Sequence, residues 1–302
     1  MIDITKFYDV GLAKKITSLN VKSVNRLYIL DTIDNRYLIK LYIPRFYEVL
    51  PISLGAQELV STDLGMAPQI VRNKNNQLYT NHNGIFFSLQ KFVVGESFHL
   101  STNTLDFYLG ALNKLHKLLS HSFKNYYVLA PPETYQKRDF RELIDDARNK
   151  YNLLNQKNEC YKRLLDVRAQ MVENIPTISY NLNRRSVIHG DLRPSNVLWD
   201  GNNINFLDFD YISNGDLLYE ISSSIAMLSN YDDKMCEMFW EKYTAKNAIE
   251  MSFKELYMHL LSYYVKSNFP LNIMSYEPKS QIDKMSLERI KILKFCSSII
   301  SD

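Results

Sequence analysis

Over roughly its first ninety residues the chain alternates short apolar runs with polar turn signals, which is the rhythm of β-structure. Asn25–Thr32 (NRLYILDT) and Arg36–Ile43 (RYLIKLYI) are rich in Tyr, Ile and Leu. Ile33-Asp34-Asn35 between them supplies a turn, so the two runs predict an antiparallel hairpin. Pro51 suits the first position of a helix, Leu54, Leu59 and Leu64 give it an apolar stripe, and Gly65 stops it. Two further strands are expected at Gln77–Thr80 and Ile85–Val93, the second ending at Gly95.

After Gly95 the period changes. Leu105, Leu109, Leu112, Leu115, His116 and Leu119 recur at three- and four-residue spacing, one face of a helix. Pro131-Pro132 breaks the chain, and Gln136–Val172 is a long, charged, helix-compatible stretch. One segment interrupts the helices: Val187–Trp199, a turn at Gly201 and Ile204–Phe209 read as a loop followed by short hairpin strands, and helical spacing returns from about Asp216. The pattern predicts an α+β, bilobal protein: a small antiparallel-sheet lobe over residues 1–94 and a larger helical lobe over 95–302. A ligand cleft is expected where such lobes meet.

Composition narrows the function classes. Of 302 residues, 46% are hydrophobic and 23% charged, which is a folded globular composition rather than a disordered or repetitive one. The 36 basic and 33 acidic residues are interspersed, so no nucleic-acid-binding tail is expected. Cys160, Cys236 and Cys296 have neither disulfide-framework nor zinc spacing, and predict neutral thiols in a reducing cytoplasm. The opening MIDITKFYDVGLAKK lacks a signal-peptide core, and no apolar run is long enough to span a bilayer. Secretion and membrane insertion are not expected, and the sequence sets no oligomeric state.

The densest chemical signal is His189-Gly190-Asp191-Leu192-Arg193-Pro194-Ser195-Asn196-Val197-Leu198, with Asp208-Phe209-Asp210 twelve residues beyond the asparagine. Phosphoryl transfer to a hydroxyl requires a carboxylate that orients the nucleophile and takes its proton, with oxygen ligands for Mg²⁺ close by. A loop followed by a tight hairpin supplies both. Asp191 would face the acceptor, Asn196 would hold metal from the same loop, and Asp208 would return from the hairpin as a second metal ligand. Arg193 would lie near the transferred group, where a fixed cation stabilises developing charge. The alternative for Arg193 is a structural ion pair with Asp216 or Glu220, and His189 reads as a brace for the loop.

The segment VIHGDLRPSNVLWD…INFLDFDYISNGDLLYE resembles the catalytic core of the aminoglycoside phosphotransferase and choline kinase superfamily, relatives of the protein kinases, and LGALNKLHKLL is similar to its helix after the hinge. The resemblance spans roughly residues 15–230 and implies a protein-kinase-like fold, Asp191 as catalytic base and Asn196 and Asp208 as metal ligands. It also implies a lysine on a central strand to grip ATP phosphates, and Lys40, flanked by apolar strand residues, fits. The lysine's acidic partner is expected from the following helix: Glu58, with Glu48 as the rival. The phosphate loop, Leu19–Arg26, contains no glycine, so close approach to phosphate falls to Ser23 and the asparagines. Adenine is expected against Gln90-Lys91-Phe92-Val93, with Phe92 and Val93 as apolar wall. ATP is favoured over GTP by family frequency.

Three functions compete on these residues: a small-molecule hydroxyl kinase, a Ser/Thr protein kinase of the bacterial stress-response type, and a nucleotide-binding pseudokinase. The second rests on similarity of the N-terminal strands and on Asp191-Leu192-Arg193, and the third on the glycine-free loop. A complete set of Lys40, Asp191, Asn196 and Asp208 favours an active enzyme.

Overall fold

The structure is a computed structural model, and it describes residues 3–19, 25–123, 140–153, 158–172, 185–266 and 279–301. Its contacts form two compact units. One combines Met1–His99, Asn103–Ala130 and Ser186–Gly215; the other holds Leu100–Thr102, Pro131–Arg185 and Asp216–Asp302.

The first unit is built on an antiparallel sheet. Its strands are β1 (Ala13–Ser18), β2 (Arg26–Thr32), β3 (Arg36–Leu41), β4 (Ile70–Val71), β5 (Thr80–His82) and β6 (Ile85–Lys91). They run in the order β1-β2-β3-β6-β4, with β5 also on β6. The expected hairpin is β2–β3, in a register that sets Leu27 opposite Lys40 and Asp31 opposite Arg36. The N–H and hydroxyl of Thr32 both donate to the Asn35 carbonyl, closing the turn. Strand alternation sends Tyr37 and Ile39 to one face, where they bury with Leu30, Phe87, Leu89, Ile4 and Tyr8. Lys40, between Ile39 and Leu41, is thereby delivered to the opposite face. Strand β1, an exposed edge bearing Lys14 and Lys15, carries no apolar alternation and so left no pattern to read. Pairing in β5 begins at Thr80 rather than Gln77 because Asn73 organises the preceding residues as a turn. Its side-chain oxygen accepts from the N–H groups of Asn75 and Gln77.

Helix α1 (Leu50–Leu64) starts with Pro51 in its first turn and ends at Gly65, whose φ of 65° lets its N–H reach the Ser61 carbonyl. Its buried face is Leu50, Ser53, Leu54, Gln57 and Val60, a three- and four-residue repeat that excludes Leu59 and Leu64. Helix α2 (Leu105–Ser122) buries the expected stripe from Leu105 to Leu119, His116 included. The short strands β7 (Glu96–Ser97), β9 (Val197–Trp199) and β10 (Ile204–Phe206) form a second sheet in the order β10-β9-β7, while β8 (Arg185–Ile188) pairs with β11 (Ser213–Asp216).

The second unit is helical. The helix-compatible stretch Gln136–Val172 contains α3 (Phe140–Asn152) and α4 (Glu159–Val172), and the chain continues with α5 (Leu217–Leu228), α6 (Asp233–Asn247), α7 (Phe253–Lys266) and α8 (Lys279–Ser301). Helix α8 packs on α4 and α7, and α7 on α5. Asp216 caps α5 by accepting from the N–H groups of Leu218 and Tyr219, and its other oxygen is hydrogen-bonded to His259 of α7. Tyr257 and Tyr264 are core residues. All three cysteines are free. Burial pushes the Cys236 thiol up to about 11 and the Cys296 thiol higher still. No helix among the described residues is long and apolar enough to cross a membrane.

Candidate active site

The loop between β8 and β9 is shaped in part by Gly190 and His189. Gly190 has φ of 86°, and a Cβ there would run into the Tyr211 carbonyl, so both the conformation and the space require glycine. The buried His189 ring packs on Phe209 with centroids 4.5 Å apart. Its Nδ1 accepts from the Asp191 N–H at 3.3 Å. His189 is therefore the brace that the sequence indicated.

Asp191 is held by both neighbours in its loop. Arg193 Nε donates to its Oδ1 at 2.6 Å, and Asn196 Nδ2 donates to its Oδ2 at 2.8 Å. Asn196 sits on a short turn that starts at Pro194, and its amide nitrogen also donates to the Asp191 carbonyl at 3.0 Å. The Asn196 side-chain oxygen accepts, among the described residues, from the Ser195 hydroxyl at 3.4 Å. Burial raises the Asp191 carboxyl above the ordinary carboxylate range, and the Arg193 guanidinium partly opposes that rise. The Asp191 carboxylate is thus half-buried, held in one orientation and more basic than an ordinary one.

The β9–β10 hairpin returns the chain to this loop. Its turn is tightened by Asp200, whose Oδ1 accepts from the N–H groups of Asn202 and Asn203. The Leu207 N–H then donates to the Asn196 carbonyl at 2.8 Å, which fixes the start of Asp208-Phe209-Asp210 against the catalytic loop. Asp208 adopts φ of 65°, a left-handed conformation uncommon outside glycine and characteristic of constrained functional positions.

Lys40 meets this segment from β3. Its side chain is 6% exposed, and its ammonium lies 2.6 Å from Asp208 Oδ1 and 2.8 Å from Asp210 Oδ1, and 5.1 Å from the centre of the Tyr42 ring. Burial alone would lower the lysine's pKa, but the two carboxylates outweigh it and hold the ammonium charged. Asp208 is held below the ordinary range, because Lys40 overcomes the effect of its burial. Asp210 goes the other way: burial and the neighbouring Asp208 charge raise it despite Lys40.

The expected acidic partner of Lys40 is corrected by this geometry. Glu58 pairs with Arg72, through Oε1 at 2.9 Å and Oε2 at 2.6 Å, on an exposed edge. One residue of α1 is a 100° rotation, and the buried face carries Gln57 where a glutamate was expected. Gln57 Nε2 donates to Gln90 Oε1 and to the Pro68 carbonyl, both at 2.9 Å. The rival Glu48 is exposed. The Gln90 side chain is thus engaged in a buried amide pair. The Phe92 N–H donates to the Arg36 carbonyl at 3.0 Å, and Phe92 and Val93 are half-buried. Ser23 lies outside the described residues. Arg193 pairs with Asp191.

Two side chains enter the site in ways the sequence did not indicate. Asp210 is the third residue of a segment valued only for Asp208. Asn25, 5% exposed, was expected only to ease backbone approach in the phosphate loop. The available signal was a polar residue at the end of a phosphate loop and a second acid two positions after the first. Among the described residues no cluster of three or more His, Cys, Asp or Glu is arranged as a metal site. The donor chemistry still fits Mg²⁺, which takes one or two carboxylate or carbonyl oxygens and completes its shell with phosphate and water. Asp208, with its side chain 32% exposed, and the Asn196 side-chain oxygen are such donors.

A family model described as the phosphotransferase enzyme family matches residues 15–251. No curated protein matches the chain. Among solved structures, spectinomycin phosphotransferase in complex with ADP and spectinomycin is 13% identical, with a TM-score of 0.63 over 98% of this chain and 96% of that one. The choline kinase of Cryptosporidium parvum is 13% identical, with a TM-score of 0.60 over 99% of this chain and 92% of that one. A microcompartment-associated aminopropanol kinase is 15% identical, with a TM-score of 0.62 over 98% of this chain and 97% of that one. At these identities the likeness is one of fold, and it matches the mixed α+β, kinase-like architecture described above.

Proposed function

Because the chain belongs to the phosphotransferase enzyme family, we propose that it transfers the γ-phosphoryl group of ATP, with Mg²⁺, to a hydroxyl of a small molecule. The observation that carries this reading is the meeting of Lys40 with Asp208 at 2.6 Å in the same unit that sets Asn196 on Asp191 at 2.8 Å. That arrangement supplies a phosphate-binding cation, metal-binding oxygens and a base. In the reaction the acceptor oxygen bonds to the γ-phosphorus as the bond to the β–γ bridging oxygen breaks. ADP departs, and the acceptor's proton passes to the Asp191 carboxylate. Asn196 and Arg193 hold that carboxylate in one orientation while each of its oxygens keeps a lone pair for the incoming proton. Asp208 and the Asn196 oxygen would hold Mg²⁺, which when bound neutralises phosphate charge. Lys40 would bind phosphate oxygens from β3, and Phe92 and Val93 would flank the purine.

ATP as donor is supported by ADP and AMP in the two spectinomycin phosphotransferase complexes. A small acceptor is supported by the spectinomycin, choline and aminopropanol named for the similar structures. Cytoplasmic residence suits three free cysteines. The test is ADP release with MgATP over a panel of amino alcohols, aminoglycosides and a generic Ser/Thr protein substrate, beside Asp191→Asn as control. Turnover with a small hydroxylated acceptor that is lost in the control is the expected result. Phosphorylation of the protein substrate alone would overturn the choice of acceptor, and no stabilisation of the wild type by MgATP would overturn phosphotransfer itself.

A further inference from the structure

Among the described residues, Lys40 is the cation that the structure places on Asp208 and Asp210, and Glu58 of α1 is paired with Arg72 instead. Of the two acids, Asp208 is the partly exposed one, with the oxygens suited to a metal, whereas Asp210 is 4% exposed in its side chain. Asp210 is therefore the fixed partner of the lysine, and what fixes Asp210 sets where the ammonium sits. Asp210 Oδ1 accepts from Lys40 at 2.8 Å and its Oδ2 accepts from Asn25 Nδ2 at 2.6 Å. A carboxylate is planar, so one torsion moves both oxygens, and holding Oδ2 aims Oδ1. Asn25 is anchored in turn: its Oδ1 accepts from the Ile43 N–H at 3.2 Å, just past the end of β3. The amide is also planar, so the run Ile43, Asn25, Asp210, Lys40 passes through two rigid groups. Leu27, two residues beyond Asn25, is the cross-strand neighbour of Lys40.

We propose that Asn25 is a positioning residue for phosphate binding, acting through Asp210 to hold the Lys40 ammonium where it meets the nucleotide's phosphates. This takes over the task that an acid on the following helix was expected to perform, and it rests on the phosphotransfer reading above. Two of the three ammonium N–H groups are directed at Asp208 and Asp210, and the third is the one a phosphate oxygen receives.

The experiment compares MgATP with adenosine, which has the purine and ribose but no phosphate, by calorimetry on the full chain. Asn25→Asp keeps the side chain's shape and its acceptor for Ile43 but replaces the donor facing Asp210 with an oxygen. MgATP affinity is expected to fall about tenfold, as for loss of one hydrogen bond to a charged group, with adenosine affinity unchanged. In a Lys40→Ala background the same substitution should have no further effect on MgATP, because the residue through which Asn25 acts is gone. Should Asn25→Asp not fold, Asn25→Ser is read in the same way. Equal losses for MgATP and adenosine, or a full additional loss in the Lys40→Ala background, would show a merely structural role and overturn the proposal. So would an unchanged MgATP affinity in a folded variant. A wild type that does not bind MgATP would instead remove the phosphotransfer reading, and this one with it.

Discussion

Arg193 Nε donates to Asp191 Oδ1 across 2.6 Å within one loop, so the arginine next to the candidate base is the base's own partner. The sequence suggested either a contact with the transferred phosphoryl group or an ion pair with Asp216 or Glu220, and the pair formed is with Asp191. An arginine so placed orients the carboxylate and opposes the rise that burial imposes on it. Arg193→Ala is expected to lower kcat by roughly ten- to a hundredfold while changing MgATP affinity little, with Arg193→Lys recovering part of the loss. Loss of the cation also lets the Asp191 carboxyl rise further, so the acidic limb of the kcat profile should move to higher pH. An unchanged kcat and an unmoved limb would separate Arg193 from catalysis.

Asp191→Asn keeps the size of the side chain and removes its capacity to take a proton. Turnover with a verified acceptor should fall by about 10²–10⁴, the usual worth of a positioned general base, with MgATP stabilisation in a thermal-shift measurement retained. Near-normal turnover would place the base elsewhere.

Lys40 and Glu58 give a paired contrast. Lys40→Ala leaves Asp208 and Asp210 without the cation between them, and breaking such a buried group costs about 3 kcal/mol. The melting temperature and MgATP affinity should fall together. Glu58 is paired with Arg72 on an exposed edge, and its removal should cost less than about 1 kcal/mol and leave MgATP affinity unchanged. Loss of nucleotide binding in Glu58→Ala would restore the helix glutamate to the site.

What the sequence disclosed follows from the range over which each signal acts. The β2–β3 hairpin, α2 and the limits of α1 are written in local periodicity and in Pro51 and Gly65, and they are present as read. Asp191, Asn196 and Asp208 were conspicuous because a loop and a tight hairpin keep them within twenty residues of one another. The partner of Lys40 was not local. It depended on which face α1 buries, and with leucines at 50, 54, 59 and 64 the sequence admits two faces, one presenting Glu58 and the other Gln57. Packing selected the second. The contact between Asn25 and Asp210 joins residues 185 positions apart and has no periodic trace at all. Strand β1 escaped notice because an edge strand rich in lysine has no apolar alternation to show.

The acid two residues after Asp208 carries the last prediction. Burial first, and then the charge of Asp208, push the Asp210 carboxyl up from an ordinary 3.8 to about 6, with Lys40 opposing. The folded protein therefore binds this proton more tightly than the unfolded chain does. Between about pH 4 and pH 6 the unfolded state has released the proton while the folded state keeps it, so this group's contribution to stability falls as pH rises through that window and is level above it. Phosphate binding moves in the opposite sense. Only ionised Asp210 is a full counter-charge for Lys40, so MgATP affinity should improve as pH rises through about 6. Asp210→Asn keeps an acceptor for the Asn25 amide but has nothing to titrate, and both trends should flatten. Melting temperature and MgATP affinity measured on the same preparations from pH 5 to pH 8 provide the check. If the wild type and Asp210→Asn show the same pH dependence in both, Asp210 is not the titrating group that links Lys40 to the nucleotide.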